Sequence, residues 1–256
     1  MLIINADDWG RSVEATNAGL TCLERKRITS ASALVFMKDS GRGAESALAA
    51  GLGTGLHLNL DMPFDGPGVP FRLRQSHSRI QRYLGRGKWP EFVYNPLLRK
   101  DFDYVFKAQY EEFFRLFGKG PAQIDGHRHR HLCANMLIDR ILPSGACVRR
   151  NFTFEPGEKS VMNRAYRSAV DKWLASHYRC TDAFFSIEPL ADSLRLARIV
   201  SLAHASHVEV MVHPERHEQT RYLLGDEFGN LIASVPAGSY LALSRAKNGN
   251  MAGNKE

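Results

Sequence analysis

Short apolar runs alternate with longer segments of helical spacing along most of the 256-residue chain. Predicted strands are Leu2 to Ala6, Ser30 to Phe36, Gly55 to Leu60, Gln123 to Asp125, Ala146 to Arg149, Ala183 to Ile187 and Val208 to Val212. Between the first two, Ser12 is placed to cap a helix carrying Val13, Ala18, Leu20 and Leu23. Tyr104 to Phe117 has helical apolar spacing and meets Gly118 and Pro121; Val161 to Ser176 and Ser193 to Ala203 are further helices. Strand followed by helix, repeated, predicts a parallel sheet with crossover helices, open or closed into a barrel. This length fits one such domain over residues 1–246.

Two segments break the rhythm. Residues 62–100 hold Pro63, Pro67, Pro70, Pro90 and Pro96 with several glycines, and read as a long inserted loop or lid. The polar tail 247–256 reads as disordered. No apolar run reaches the length of a membrane span, and Met1 to Ile4 runs into Asn5, Asp7 and Asp8 without a secretory pattern. Cys22, Cys133, Cys147 and Cys180 are scattered, as expected of plain thiols in a reducing cytoplasm. Lys and Arg total 34 against 27 Asp and Glu, a net +7 that permits an anionic partner without requiring one.

The informative polar residues sit at strand ends. The first strand runs into Asn5-Ala6-Asp7-Asp8-Trp9-Gly10. In Gly55-Leu56-His57-Leu58-Asn59-Leu60 the alternation places His57 and Asn59 on one face. A further run ends in Asp125-Gly126-His127-Arg128-His129-Arg130-His131, and the last strand ends in His213-Pro214. The carboxyl ends of parallel strands converge on one rim, where catalytic groups gather. Taken singly, Asp7-Asp8 is a common turn and cap, and His57 a common interior residue. If residues 127 to 131 are extended, His127, His129 and His131 share a face, which suits a metal or an anion.

Carboxylate and imidazoles from neighbouring strands form a candidate site for one divalent ion, Mg or Zn. A metal with a further carboxylate and a further histidine suits hydrolysis: one takes a proton from water, the other protonates the leaving amine. Asp7 and Asp8 face opposite ways along a strand, so both enter one site only if a turn begins there. Asp125 is placed to orient a ligand imidazole.

These four segments, in this order and spacing, resemble the YdjC-like carbohydrate deacetylases, over residues 1 to about 217. The resemblance implies a distorted (β/α) barrel of the polysaccharide deacetylase-like type, and hydrolysis of an N-acetyl group from an amino sugar. It makes Asp8, His57 and His127 the metal ligands, Asp7 the general base and His213 the general acid. A homodimer fits the family's habit. Arg128 and Arg130 stand where the family often has His, Gln or Val, and Glu215 where a glycine is common.

Residues 71–89 carry Arg72, Arg74, Arg79, Arg82, Arg86 and Lys88 and no acid. The plain reading is a solvated cationic surface. The functional one is a lid in which Trp89 stacks on sugar rings while Arg82 and Arg86 meet an anionic group on the glycan. Asn59, His129 and His131 complete the candidate substrate contacts. Two other classes compete. A metallo-phosphoesterase would need a second carboxylate-rich cluster for two metals, and a nucleic-acid-binding module would need a recognisable motif. Neither feature is recognisable here, and both classes stay as the alternatives; the partner that the resemblance implies is an N-acetylated sugar, with no nucleic acid.

Overall fold

The computed structural model describes residues 1–87, 89–154, 157–190 and 192–243. Lys88 and the 247–256 tail lie outside them. Six strands form one sheet in the order β4-β3-β2-β1-β6-β5. They are β1 (Leu2–Trp9), β2 (Ser30–Ala33), β3 (Thr54–Leu58), β4 (Ile124–Gly126), β5 (Ala183–Ser186) and β6 (Val208–Val212). β1 and β6 run parallel with Leu2 opposite Val208 and Ala6 opposite Val212. Every residue of both strands is buried, as expected for parallel strands covered on both faces. The predicted strand at Ala146 to Arg149 is reduced to an isolated bridge between Cys147 and Arg179.

The chain divides into two compact units. One comprises Met1–Asp7, Asn17–Ala31 and Cys147–Glu256, the other Asp8–Thr16 and Ser32–Ala146. The chain passes between them at Asp7/Asp8 inside β1, at Thr16/Asn17, at Ala31/Ser32 inside β2 and at Ala146/Cys147.

α1 (Val13–Glu24) begins where expected, with the Ser12 hydroxyl accepting from the Ala15 amide at 3.2 Å, and only its first residues, through Thr16, belong to the second unit. α2 spans Ser40–Ala49. The 62–100 segment departs from the expected loop, because it contains a 14-residue helix, α3 (Phe71–Leu84). α3 buries Leu73, Ser76, His77, Ile80 and Leu84, one stripe at helical spacing. Two members of that stripe are polar, which thins its apolar periodicity in the sequence. α3 packs on α4 (Arg99–Phe117), whose Phe102, Val105 and Phe113 are fully buried. Each such side chain contributes about 1.5–3 kcal/mol on burial. Arg79 on α3 grips Asp101 on α4 through two nitrogens, one at 2.8 Å. Gly118, at φ 65°, closes α4 in the left-handed conformation.

α5 spans Ala134–Ile138, also in the second unit. The first unit adds α6 (Val161–His177), α7 (Ser193–Leu202), α8 (His217–Leu224) and α9 (Asp226–Ala233). Ser160 and Asp192 cap α6 and α7 by side-chain acceptance. Among the described residues no helix is long and apolar enough to cross a membrane. All four cysteines are buried thiols outside any disulfide. Burial pushes the Cys22 and Cys133 thiols up to about 11, which makes them poor nucleophiles.

Candidate active site

The second unit gathers its histidines and carboxylates at the strand ends. In the β3–β4 register His57 lies opposite Asp125. The pairing puts His57 Nδ1 at 2.7 Å from Asp125 Oδ1, while Asp125 Oδ2 accepts from the Ser32 hydroxyl at 2.5 Å. An ionised carboxylate only accepts, so His57 carries a proton on Nδ1 and, as a neutral imidazole, presents the Nε2 lone pair. That lone pair faces Asp8 Oδ1 at 3.5 Å.

Asp8 occupies a special backbone position. Its φ is 61°, in the left-handed region that a non-glycine residue rarely adopts, and Gly10 follows at φ 78°. The chain therefore turns at Asp8, as the paired-aspartate argument requires. Gly43 permits the turn to pack closely, since a Cβ there would stand 2.9 Å from Gly10 Cα. The Trp9 indole donates to the Gly43 carbonyl at 2.7 Å. Asp8 Oδ2 accepts from Arg11 at 3.2 Å, but the buried Oδ1 accepts no hydrogen bond from the described residues.

His127 repeats the His57 arrangement. Its Nδ1 lies 2.8 Å from Asp61 Oδ1, which leaves Nε2 as the outward lone pair. The His57 and His127 rings meet edge to face with centroids 5.9 Å apart. Burial opposes ionisation of Asp61, yet the His127 hydrogen bond and the charges of Arg128 and Arg130 hold it below the usual carboxylate range. Nothing in the sequence singled out Asp61.

An unpartnered buried carboxylate oxygen facing an imidazole lone pair tests whether a cation fits. Two acceptors so placed repel unless a positive charge lies between them. Donors about 2.1 Å from one ion stand roughly 3.0–3.4 Å apart at octahedral to tetrahedral angles, close to the observed spacing. Asp8 Oδ1 and His57 Nε2 are thus spaced as two ligands of one divalent ion would be.

Asp7, in the first unit, is committed differently. Arg149 grips both of its oxygens at 2.7 Å, and Asn5 Nδ2 donates to Oδ1 at 2.8 Å. Arg149 is fully buried, donates through Nε to Glu209 at 2.9 Å and stacks over Phe184. The Tyr240 hydroxyl donates to the other Glu209 oxygen. A bidentate guanidinium fixes the plane of a carboxylate and leaves part of its roughly four lone-pair sites for a further proton. Arg149 escaped notice because it ends a segment that read as an ordinary strand. His213, at the end of β6, is half-buried, and its backbone amide donates to Gln219 Oε1 at 2.7 Å.

The other expected contacts are dispersed. Residues 127–132 form a 3-10 turn, not an extended run, with Arg128 at φ 51° and His129 at φ 58°. Left-handed residues in mid-segment destroy the period-two alternation, so the three histidines do not share a face. His131 is fully buried beside Gly126, where a Cβ would meet its amide at 3.0 Å. Asn59 is buried: Nδ2 donates to the Met62 carbonyl at 2.7 Å and Oδ1 accepts from the Met62 amide at 2.8 Å. Arg82 and Arg86 lie exposed at the end of α3, and Arg82 Nε reaches the Ser78 carbonyl at 3.3 Å. Trp89 is 80% exposed and opens a short 3-10 turn, Trp89–Glu91. Glu91 of that turn pairs with Arg130.

The profile of the YdjC-like protein family matches residues 1–234. The chain belongs to the YdjC-like family. It is 29% identical over 222 residues to a chitooligosaccharide deacetylase of Escherichia fergusonii, covering 84% of this chain and 81% of that one. A chitooligosaccharide deacetylase of Klebsiella pneumoniae subsp. pneumoniae is 28% identical over 223 residues, with the same coverage. Among solved structures, a protein of Enterococcus faecalis V583, named for a suspected cleavage of cellobiose-phosphate, superposes with TM-score 0.66 at 19% identity. The superposition covers 94% of this chain and 98% of that one. At that identity the likeness shows the fold, the distorted α/β barrel of YdjC-like proteins.

Proposed function

We propose that this YdjC-like protein is a metal-dependent hydrolase that removes the acetyl group from an N-acetylated amino sugar and releases acetate. The observation that carries the proposal is the buried Asp8 oxygen facing the His57 lone pair, in a chain whose relatives are named chitooligosaccharide deacetylases. Asp8, His57 and His127 would hold one divalent ion, with Mg and Zn the two to compare. The bound ion supplies Lewis acidity toward the amide carbonyl and lowers the pKa of the attacking water.

The chain's own groups divide the remaining work. Asp7, its plane set by Arg149, takes a proton from the attacking water. His213 gives a proton to the departing sugar amine, so that it leaves as a neutral group. Asp125 and Asp61 keep the lone pairs of His57 and His127 directed outward from their own hydrogen bonds. The substrate enters as the acetamide and leaves as acetate and a free amine.

An acetate-release screen across N-acetyl sugars, free, oligomeric, nucleotide-linked and lipid-linked, with phosphate release followed in parallel, tests this reading. Acetate without phosphate supports it. Phosphate release without acetate contradicts it and returns the phosphoesterase.

A further inference from the structure

α3 turns Leu73, His77, Ile80 and Leu84 inward, so Phe71, Arg74, Ser78 and Arg82 follow one another along its exposed face. Beyond its end, within the same unit, Trp89 is 80% exposed and Leu97 89% exposed, with Phe92 and Val93 half exposed between them. Single apolar side chains on a surface are ordinary, but a run of large ones in one segment marks an interaction site.

This exposure belongs to a backbone that is held in place. The Phe92 amide donates to the Trp89 carbonyl at 2.9 Å, and the Tyr83 hydroxyl of α3 donates to the Val93 carbonyl at 2.5 Å. Before Leu97, the Asn95 amide donates to Asn135 Oδ1 at 3.1 Å, and Asn135 Nδ2 returns a bond to the Asn95 carbonyl at 2.9 Å. The Leu97 amide donates to Asn95 Oδ1 at 3.1 Å.

The same segment is strongly cationic. Glu91 is its one acid between residues 71 and 100, and it pairs with Arg130. Some of the cations are engaged: Arg79 with Asp101, Arg99 with Asp139 at 3.2 Å, and Arg72 over the Tyr104 ring. Arg74, Arg82, Arg86 and Lys100 are exposed and, among the described residues, pair with no carboxylate.

Apolar side chains interleaved with cations match a lipid–water interface. Trp, Phe and Leu enter the boundary between headgroups and acyl chains, while arginines meet the headgroup phosphates. Other occupants fit less well. Two copies meeting through this surface would bring Arg82 and Arg86 against like charges with no acid to offset them. Val93 and Leu97 are aliphatic and give neither a nucleic-acid base nor a sugar ring a plane to stack on.

We infer that the exposed surface of residues 71–100 docks the protein on an anionic lipid bilayer. The inference goes beyond the deacetylase reading and stands apart from it. The turn at Trp89 is nevertheless tied to the candidate site: Glu91 pairs with Arg130, whose Nε lies 3.6 Å from Asp61, the partner of His127.

Co-sedimentation of the intact chain with vesicles tests this, using phosphatidylcholine alone and phosphatidylcholine mixed with phosphatidylglycerol, at low and high salt. Sedimentation is expected with the anionic vesicles and should weaken as salt screens the charges. Arg82→Gln with Arg86→Gln should lower the partition coefficient by about 25-fold, about fivefold for each charge. Trp89→Ser with Leu97→Ser should lower it about tenfold or more. All four side chains are exposed, so far-ultraviolet circular dichroism should match wild type in both variants. Fluorescence supplies a second readout, because Trp9 is buried and Trp173 stacks on His177, which leaves Trp89 to report on the bilayer. Its emission should shift to the blue on anionic vesicles, and Trp89→Phe should remove that shift while still sedimenting. Absence of binding to the anionic vesicles, or binding that survives either double variant, overturns the inference. So does a dimer that Leu97→Ser dissolves, or binding to single-stranded DNA, in a protein that ignores the vesicles.

Discussion

Asp8 Oδ1 stands 3.5 Å from His57 Nε2, buried, with no hydrogen bond from the described residues. With His57 neutral, the relationship is unfavourable without a cation and ordinary with one. Asp8→Asn and His57→Ala should therefore each lower the affinity for added Zn or Mg by at least about a hundredfold, given that even outer partners of metal ligands are worth about 10–100-fold. Calorimetric titration of the purified variants reads this directly. Unchanged affinity in either variant would remove that residue from the metal centre.

Asp61 should behave as an outer partner. Asp61→Ala frees the His127 ring to turn, so metal affinity should fall by about 10–100-fold while the fold persists. Far-ultraviolet circular dichroism beside the metal titration separates the two effects. Wild-type affinity in a folded Asp61→Ala protein would show that His127 needs no such orientation.

Asp7 and Arg149 give a contrasting pair. Asp7→Asn should keep metal affinity near wild type while lowering kcat by about 10²–10⁴, the usual worth of a general base. Arg149→Met leaves Asp7 and Glu209 buried without their shared cation, and should cost about 3–5 kcal/mol of stability. Denaturant unfolding measures the second effect. An active Asp7→Asn enzyme would reassign the base.

His77 supplies a pH signature away from the metal. Burial pushes its imidazole down to about 4, against weaker opposing contributions from the Asn59 carbonyl and Asp61. The folded state thus prefers neutral His77, which donates to Asn59 at 3.1 Å and stacks on Phe64. Its contribution to stability is complete above about pH 6.5, falls as pH drops toward 4 and is gone below it, with a ceiling of about 3 kcal/mol. His77→Leu should flatten this part of the stability profile, and Gln109 would still serve the Asn59 carbonyl. An unaltered slope in the variant would place the proton uptake elsewhere.

Much of this arrangement was legible in the sequence, for physical reasons that differ by element. β1 and β6 are largely apolar runs, interrupted by Asn5 and Glu209, that lead into acid and histidine, so both their burial and the rim residues could be read directly. The pairing of His57 with Asp125 depends on strand register, which no local pattern encodes, although Asp125 was expected to orient an imidazole. α3 was hidden because Ser76 and His77 occupy its buried stripe and Pro70 precedes it. The turn at 127–132 was hidden because left-handed Arg128 and His129 carry no glycine to mark them. Asp61 and Arg149 act across 66 and 142 residues of chain, respectively, and only the folded protein brings them to their partners.

The most direct measurement is acetate release from N,N′-diacetylchitobiose by chelator-treated protein before and after adding back Zn or Mg. The metal centre of Asp8, His57 and His127 requires that chelation abolish release, that one of the ions restore it, and that His57→Ala respond to neither. Undiminished release after complete metal removal, or equal restoration of the His57→Ala protein, would contradict the account.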